Sequence, residues 1–418
     1  MMKHRILFCA LFLLALLCAC GAPEAALSPA SGEAPAKNSA PPSSASAQTE
    51  ESSAEASFYS EAAIASAQTE ERGADASFYS EAAMAARAEA LGALAFSAPE
   101  PERALEEAGV TVLHAYDAYP SSYLSAPEAL LSFWQSVQRG TDCALELVSL
   151  RKEDCLSYQV LSLEAQTPYF TAIRCERQPD GTCSASVYER CTVKSWLLSE
   201  NGNFYYRLFP AGDKHYADYN LIRTNAPDEA LFSMLEQYVL PIDYYYVNLL
   251  ITDWQEGSWG EVSFSDVFDR LYALTYGREI SPEDFSRSDE TGLYQIPAEA
   301  FEAVILAHFS LSQSELRALA GFDAQTQSYP WRPIETNDME RYDYPAIEPY
   351  LTAAQENADG TLSLFISCLS TDIPTDCIFS HVLTVRPLEN GGFQYVSNEM
   401  TFQTDYGLPN PAPRLQKE

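Results

Sequence analysis

Residues 144–209, ALELVSLRKEDCLSYQVLSLEAQTPYFTAIRCERQPDGTCSASVYERCTVKSWLLSENGNFYYRLF, decide the fold class. Five strand-like runs succeed one another: Ala144 to Leu150, Leu156 to Leu163, Tyr169 to Cys175, Cys183 to Leu198 and Phe204 to Phe209. Asp180-Gly181 and Asn201-Gly202 separate the later runs. Both dipeptides tolerate positive φ and therefore suit tight hairpins. Just upstream, Ser125-Ala126-Pro127-Glu128 has the spacing of a capping box, and Leu130, Leu131, Phe133, Trp134 and Val137 then repeat at helical spacing up to Gly140. The expectation for residues 105–225 is one helix laid across an antiparallel meander.

The pattern repeats downstream, in residues 226–418. A capped helix is expected from Asn225-Ala226-Pro227-Asp228 through Leu231, Leu235 and Val239. Helical stretches follow at Phe264 to Tyr276, Pro282 to Phe285, Pro297 to Phe309 and Gln313 to Leu319, the last opened by Ser312 with Glu315. Strands return at Leu362 to Leu369, Ile378 to Pro387 and Phe393 to Phe402, punctuated by Asp359-Gly360 and Asn390-Gly391-Gly392. The whole reads as α+β, two domains each with helices packed on an antiparallel β-meander.

Upstream the texture changes. Lys3, His4 and Arg5 precede a twelve-residue apolar run, Ile6 to Leu17, and then Leu17-Cys18-Ala19-Cys20. This is the order of a lipoprotein signal, with residues 1–19 removed and Cys20 lipidated. Twelve residues rise about 18 Å as a helix, too short for a ~30 Å hydrocarbon core. Two or three acyl chains on Cys20 would suffice for stable anchoring. Gly21 and the polar stretch after it are similar to lipoproteins of Gram-positive bacteria, which points to the outer face of the cell membrane.

Residues 20–104 are rich in Ala, Ser, Pro and Glu and poor in aromatics, a composition that cannot offset the entropy of ordering. They are expected to form a disordered tether, with some helical propensity in Glu81 to Ala95. Inside it, residues 46–65 and 66–85 are a duplication of twenty residues that differ at four positions, Ser52/Arg72, Ser53/Gly73, Glu55/Asp75 and Ile64/Met84. Two units are too few for a solenoid.

The formal net charge is −34, and removal of residues 1–19, with Lys3 and Arg5, leaves −36. So acidic a chain disfavours nucleic acid and is repelled by anionic lipid heads. Beyond Cys20 seven cysteines remain: Cys143, Cys155, Cys175, Cys183, Cys191, Cys368 and Cys377. None forms a C-x-x-C, and the five histidines supply no second pair of ligands at zinc-site spacing, so no zinc site is expected. Cys175 with Cys183, and Cys368 with Cys377, flank turns closely enough to be candidate disulfides.

There is no G-x-S-x-G, H-E-x-x-H or Gly-rich phosphate loop, no penicillin-binding constellation of S-x-x-K with S-D-N and K-T-G, and no cofactor motif. His308 and His381 read as packing residues. Tyr245, Trp254 and Trp259 stand among carboxylates and glycines, a grouping suited to a sugar ring or a cation. The alternative is a core strand, Val247 to Thr252, followed by a turn whose tryptophans cover the joint between the two domains.

Four strings carry a resemblance: Gln295-Ile296-Pro297-Ala298-Glu299-Ala300-Phe301-Glu302, Leu316-Arg317-Ala318-Leu319, His381-Val382-Leu383-Thr384-Val385-Arg386-Pro387-Leu388 and Gln394-Tyr395-Val396-Ser397-Asn398. With the Phe133-Trp134-Gln135 helix, they resemble an uncharacterised family of clostridial cell-surface lipoproteins. The resemblance implies a lipid anchor, a tether and no transferable activity. The functional expectation is a membrane-anchored extracytoplasmic lipoprotein, a non-enzymatic binding or adaptor module for an envelope protein or glycan. An extracytoplasmic hydrolase of wall or glycan material is the alternative.

Overall fold

The structure is a computed structural model and describes residues 80–115, 121–152, 154–209, 219–334, 347–370, 373–409 and 413–415. The signal segment, Cys20 and most of the duplication lie outside the described residues, which fall within one compact unit, 63–418.

Two helices come first, α1 (Glu81–Ser97) and α2 (Pro101–Glu107). Strands β1 (Thr111–Ala115) and β2 (Ser122–Leu124) lead into α3 (Pro127–Gln138). The five expected runs follow as β3 (Cys143–Lys152), β4 (Cys155–Glu164), β5 (Thr167–Arg177), β6 (Cys183–Leu198) and β7 (Asn203–Leu208), and then β8 (Tyr219–Arg223). The two hairpin turns form where Asp180-Gly181 and Asn201-Gly202 stand. Gly202 has φ +82°, and a Cβ there would lie 2.0 Å from Thr224 Oγ1, so only glycine fits.

These eight strands close into a barrel, in the order β1-β2-β8-β7-β6-β5-β4-β3. Closure overturns the expected pair of helix-on-meander domains. It depends on two parallel pairings: Thr111 opposite Leu147 and Val112 opposite Val148 join β1 to β3, while Ser122 opposite Ile222 and Tyr123 opposite Arg223 join β2 to β8. Strands this short carry little periodic signal, and a pairing between positions a hundred residues apart leaves none in local sequence.

Alternation along the strands sorts side chains into an interior and an exterior. Leu113, Leu124, Leu145, Leu147, Leu161, Phe170, Val193, Phe204, Tyr206 and Ile222 form one cluster with Leu130 and Phe133 of α3. Every strand contributes to it, so it is the barrel interior, and side chains fill it. The capping box predicted for α3 is not made: Ala126 is the N-cap, and Ser125 Oγ accepts from the Val112 N–H at 2.9 Å, tying β1 to the helix entry.

The exterior is covered on two sides. Val112, Val148, Leu156, Tyr158, Val160, Ile173 and Cys175 pack beneath Met84, Ala88, Leu91 and Ala95 of α1 and Leu105 of α2. Residues 81–104, expected as the end of the tether, thus hold the docked helix α1 and the first turn of α2. On the opposite flank, Tyr205 of β7 and Leu221 of β8 meet Leu369 and Tyr350 from the C-terminal half.

That half runs α4 (Glu229–Tyr238), β9 (Trp254–Gln255), α5 (Phe264–Tyr276), β10 (Ser286–Arg287), β11 (Tyr294–Pro297), α6 (Ala298–His308), α7 (Gln313–Leu319) and β12 (Ser328–Trp331). Four long strands end it: β13 (Ile347–Glu356), β14 (Leu362–Ser370), β15 (Phe379–Pro387) and β16 (Phe393–Gln403). The last three match the expected meander, but the sheet has five strands, β13-β14-β15-β16-β9, and a separate three-stranded sheet holds β10-β11-β12. The Ser312/Glu315 capping box is complete, and Asp228 Oδ1 caps α4 through the N–H groups of Ala230 and Leu231.

Candidate functional site

The two tryptophans singled out in the sequence belong to the core of the C-terminal half. Trp254 and Trp259 stack with centroids 5.6 Å apart, and both are buried. Trp254 Nε1–H donates to Leu249 O at 2.7 Å. Phe309 packs edge-on against both rings, and Phe264 against Trp259. Tyr245 is half-buried and tied elsewhere, its hydroxyl accepting from the Ile347 N–H. The structure thus spends the indoles on packing and leaves no shared face of the three for a ligand.

All seven described cysteines are free thiols. Cys175 and Cys183 lie side by side under α1. Burial pushes the Cys175 thiol up to about 12, with Cys183 adding to the shift, and burial raises Cys183 as well. Cys368 is fully enclosed and pushed well above the ordinary thiol range by burial, and Cys377 is raised for the same reason. Cys377 Sγ–H donates to Phe379 O at 3.1 Å. A raised pKa is the opposite of what activates a nucleophilic thiol, so these four are not activated.

Three buried polar groupings are the chemically richest places among the described residues. In the first, Asn398 Nδ2 donates to Thr252 O at 2.9 Å, which leaves its Oδ1 to accept from His381 Nδ1–H at 2.6 Å. His381 Nε2 then accepts from the Tyr244 hydroxyl at 3.0 Å. Burial holds this imidazole down at about 4, so it is neutral at pH 7. Its two nitrogens are both engaged, which makes it a core bracket between β15, β16 and the segment before β9.

The second joins the barrel to the C-terminal sheet. Glu348 of β13 is fully buried and accepts from Ser121 through both the backbone N–H (3.2 Å) and the hydroxyl. Arg223 of β8 reaches its Oε1 at 3.5 Å and lies over the Tyr350 ring at 4.8 Å. Burial raises the Glu348 carboxyl, against the pull of Ser121 and Arg223. Alongside, Asn203 Nδ2 donates to Asp376 Oδ1 at 2.7 Å and the Tyr205 hydroxyl to Thr375 O at 2.8 Å.

The third pins the C-terminal tail. Arg414 is buried and pairs with Asp266 (2.9 Å) and Asp269 of α5, and donates to Arg332 O at 2.8 Å. Trp331 Nε1–H also donates to Asp269. Burial pushes Asp269 up to about 6, and Arg414 opposes that rise. None of the three groupings was legible beforehand, because each assembles residues far apart in the chain. His381 alone was singled out, as a packing residue.

In class, the molecule is a mixed β-barrel with a side-chain-filled interior, joined through buried polar contacts to an antiparallel sheet. The chain belongs to DUF6070, a family of unknown function, whose profile matches residues 71–414. No curated protein and no solved structure matches it.

Proposed function

We propose that the protein is an exported lipoprotein, acylated at Cys20, that displays its folded body at the outer face of the cell membrane as a non-enzymatic binding or adaptor module for an envelope protein or glycan. The observation that carries this reading is Leu17-Cys18-Ala19-Cys20 directly behind the twelve-residue apolar run. Two structural facts support the rest. The barrel interior is filled by side chains from all eight strands and α3, so the surface is what the fold offers to a partner. The first docked helix begins at Glu81, so the spacer runs from Gly21 to about residue 79. The composition of that stretch predicts a tether, and a random-coil tether of its length would have an r.m.s. reach of about 40–45 Å. Acidity on both spacer and body favours standing away from an anionic bilayer.

Cys20→Ala tests the anchor. The variant is expected in the medium, while the parent stays in the membrane fraction with a lipid-modified N-terminal peptide by mass spectrometry. Membrane retention of the variant, or an unmodified Cys20 in the parent, rejects the reading. Crosslinking on intact cells tests the adaptor role, which requires enrichment of a specific envelope protein or glycan.

A further inference from the structure

We propose that Cys175 and Cys183 are a disulfide-forming pair, sealed beneath α1 once the helix docks. The two residues lie on one hairpin: Arg177 pairs with Cys183, and a bulge after Arg174 sets Cys175 opposite Ala185. Both side chains project to the barrel exterior, into the apolar layer under α1. Gly92 of α1 stands directly over them. A Cβ at this position would lie 3.0 Å from Cys183 Sγ and 3.2 Å from Cys175 Sγ, so the two sulfurs are at most about 6.2 Å apart. A bond of ~2.05 Å requires the two sulfurs to close from that separation. The missing side chain of Gly92 leaves the room, in the middle of a helix where glycine otherwise costs stability.

The chemistry is thiol–disulfide exchange with an external disulfide, either a low-molecular-weight one or that of a dithiol oxidoreductase. The Cys183 thiolate, the less buried of the two, attacks one sulfur of that oxidant and expels the other as a thiolate, forming a mixed disulfide. Cys175, deprotonated in turn, attacks Cys183 Sγ and expels the second thiolate. The pair loses two protons and two electrons, and the oxidant is reduced to two thiols. Cys175 is fully enclosed when α1 is seated. Oxidation therefore belongs to folding, before α1 docks, and the Cys175 sulfur of the finished bond is shielded from reductants. The proposal rests on the exported reading only for the supply of oxidant in the cell.

The test uses the purified full chain, unfolded with reductant and refolded in a mixed glutathione/glutathione disulfide buffer, then alkylated and peptide-mapped. The expected product is a crosslinked pair of peptides containing Cys175 and Cys183, two hydrogens lighter than the reduced peptides. Its Tm should be higher than that of the reduced chain by about 5 °C. The same mixture added to the folded, reduced protein should give the bond at least tenfold more slowly. Alkylation of both thiols after refolding, or pairing of either with another cysteine such as Cys155, overturns the proposal. Failure of the exported reading is distinguishable: protein taken from cells would be reduced while the refolded protein still forms the bond.

Discussion

At the residue scale, His381 shows how burial and hydrogen bonding choose a protonation state. With Nδ1–H committed to Asn398 and Nε2 accepting from Tyr244, a second proton would find no acceptor, and burial lowers the pKa to about 4. The ordinary histidine value is about 6.5. Between those values the unfolded chain takes up a proton that the folded chain refuses. Stability present above pH ~6.5 is therefore lost as pH falls toward 4, by about 3 kcal/mol for this group. Asp269, raised by burial to about 6, works in the opposite direction over part of the same window, so the total pH profile does not isolate His381. A comparison does: the stability gap between the parent and His381→Gln is expected to narrow by about 3 kcal/mol from pH 7 to pH 4 in urea unfolding. A gap independent of pH would mean that the imidazole is not held neutral. The sequence marked this histidine as packing by its place at the start of an apolar strand, but its partners Tyr244 and Asn398 come from distant segments.

At the element scale, α1 is the instructive case. It is as rich in alanine and glutamate as the sequence before it, and the end of the second duplicated copy, residues 81–85, forms its first turn. It docks because its own stripe of Met84, Ala88, Leu91 and Ala95, at helical spacing, meets an apolar strip formed by Val148, Leu156, Val160 and Ile173 on three strands. Ser80 caps it, its Oγ accepting from the Ala83 N–H at 3.3 Å. Leu91→Ala should cost about 2–4 kcal/mol by opening a cavity in this layer. Leu94→Ala, at a position 37% exposed on the same helix, should change stability by no more than about 0.5 kcal/mol. Equal small effects of the two substitutions, read by thermal unfolding, would return the helix to the spacer. By contrast, β3 to β7, α5 and α7 were legible within a few residues, because each carries its own periodicity and its own turn or cap chemistry.

At the scale of the whole molecule, the junction around Glu348 decides whether barrel and sheet behave as one. Glu348 is fully buried and is the group toward which Ser121 and Arg223 both point. Removing one partner of a buried pair leaves the other charge uncompensated, at a cost of about 3–5 kcal/mol. Glu348→Ala is therefore expected to lower the melting temperature and to split a single calorimetric transition into two, one for each half. A single transition at the parental temperature would show that the apolar contact of Tyr205 and Leu221 with Leu369 and Tyr350 is sufficient to couple them. By itself the sequence determined the export signal as an expectation, the long strands with their Asp-Gly and Asn-Gly turns, the self-capped helices and the acidic character, since these are properties of neighbouring residues. Only the tertiary structure decided that the meander closes into a barrel, that α1 docks, and that Trp254 and Trp259 serve the core. Each of those outcomes depends on which distant surface a segment meets, and a parallel pairing across a hundred residues or a buried carboxylate–arginine contact leaves no trace in local spacing.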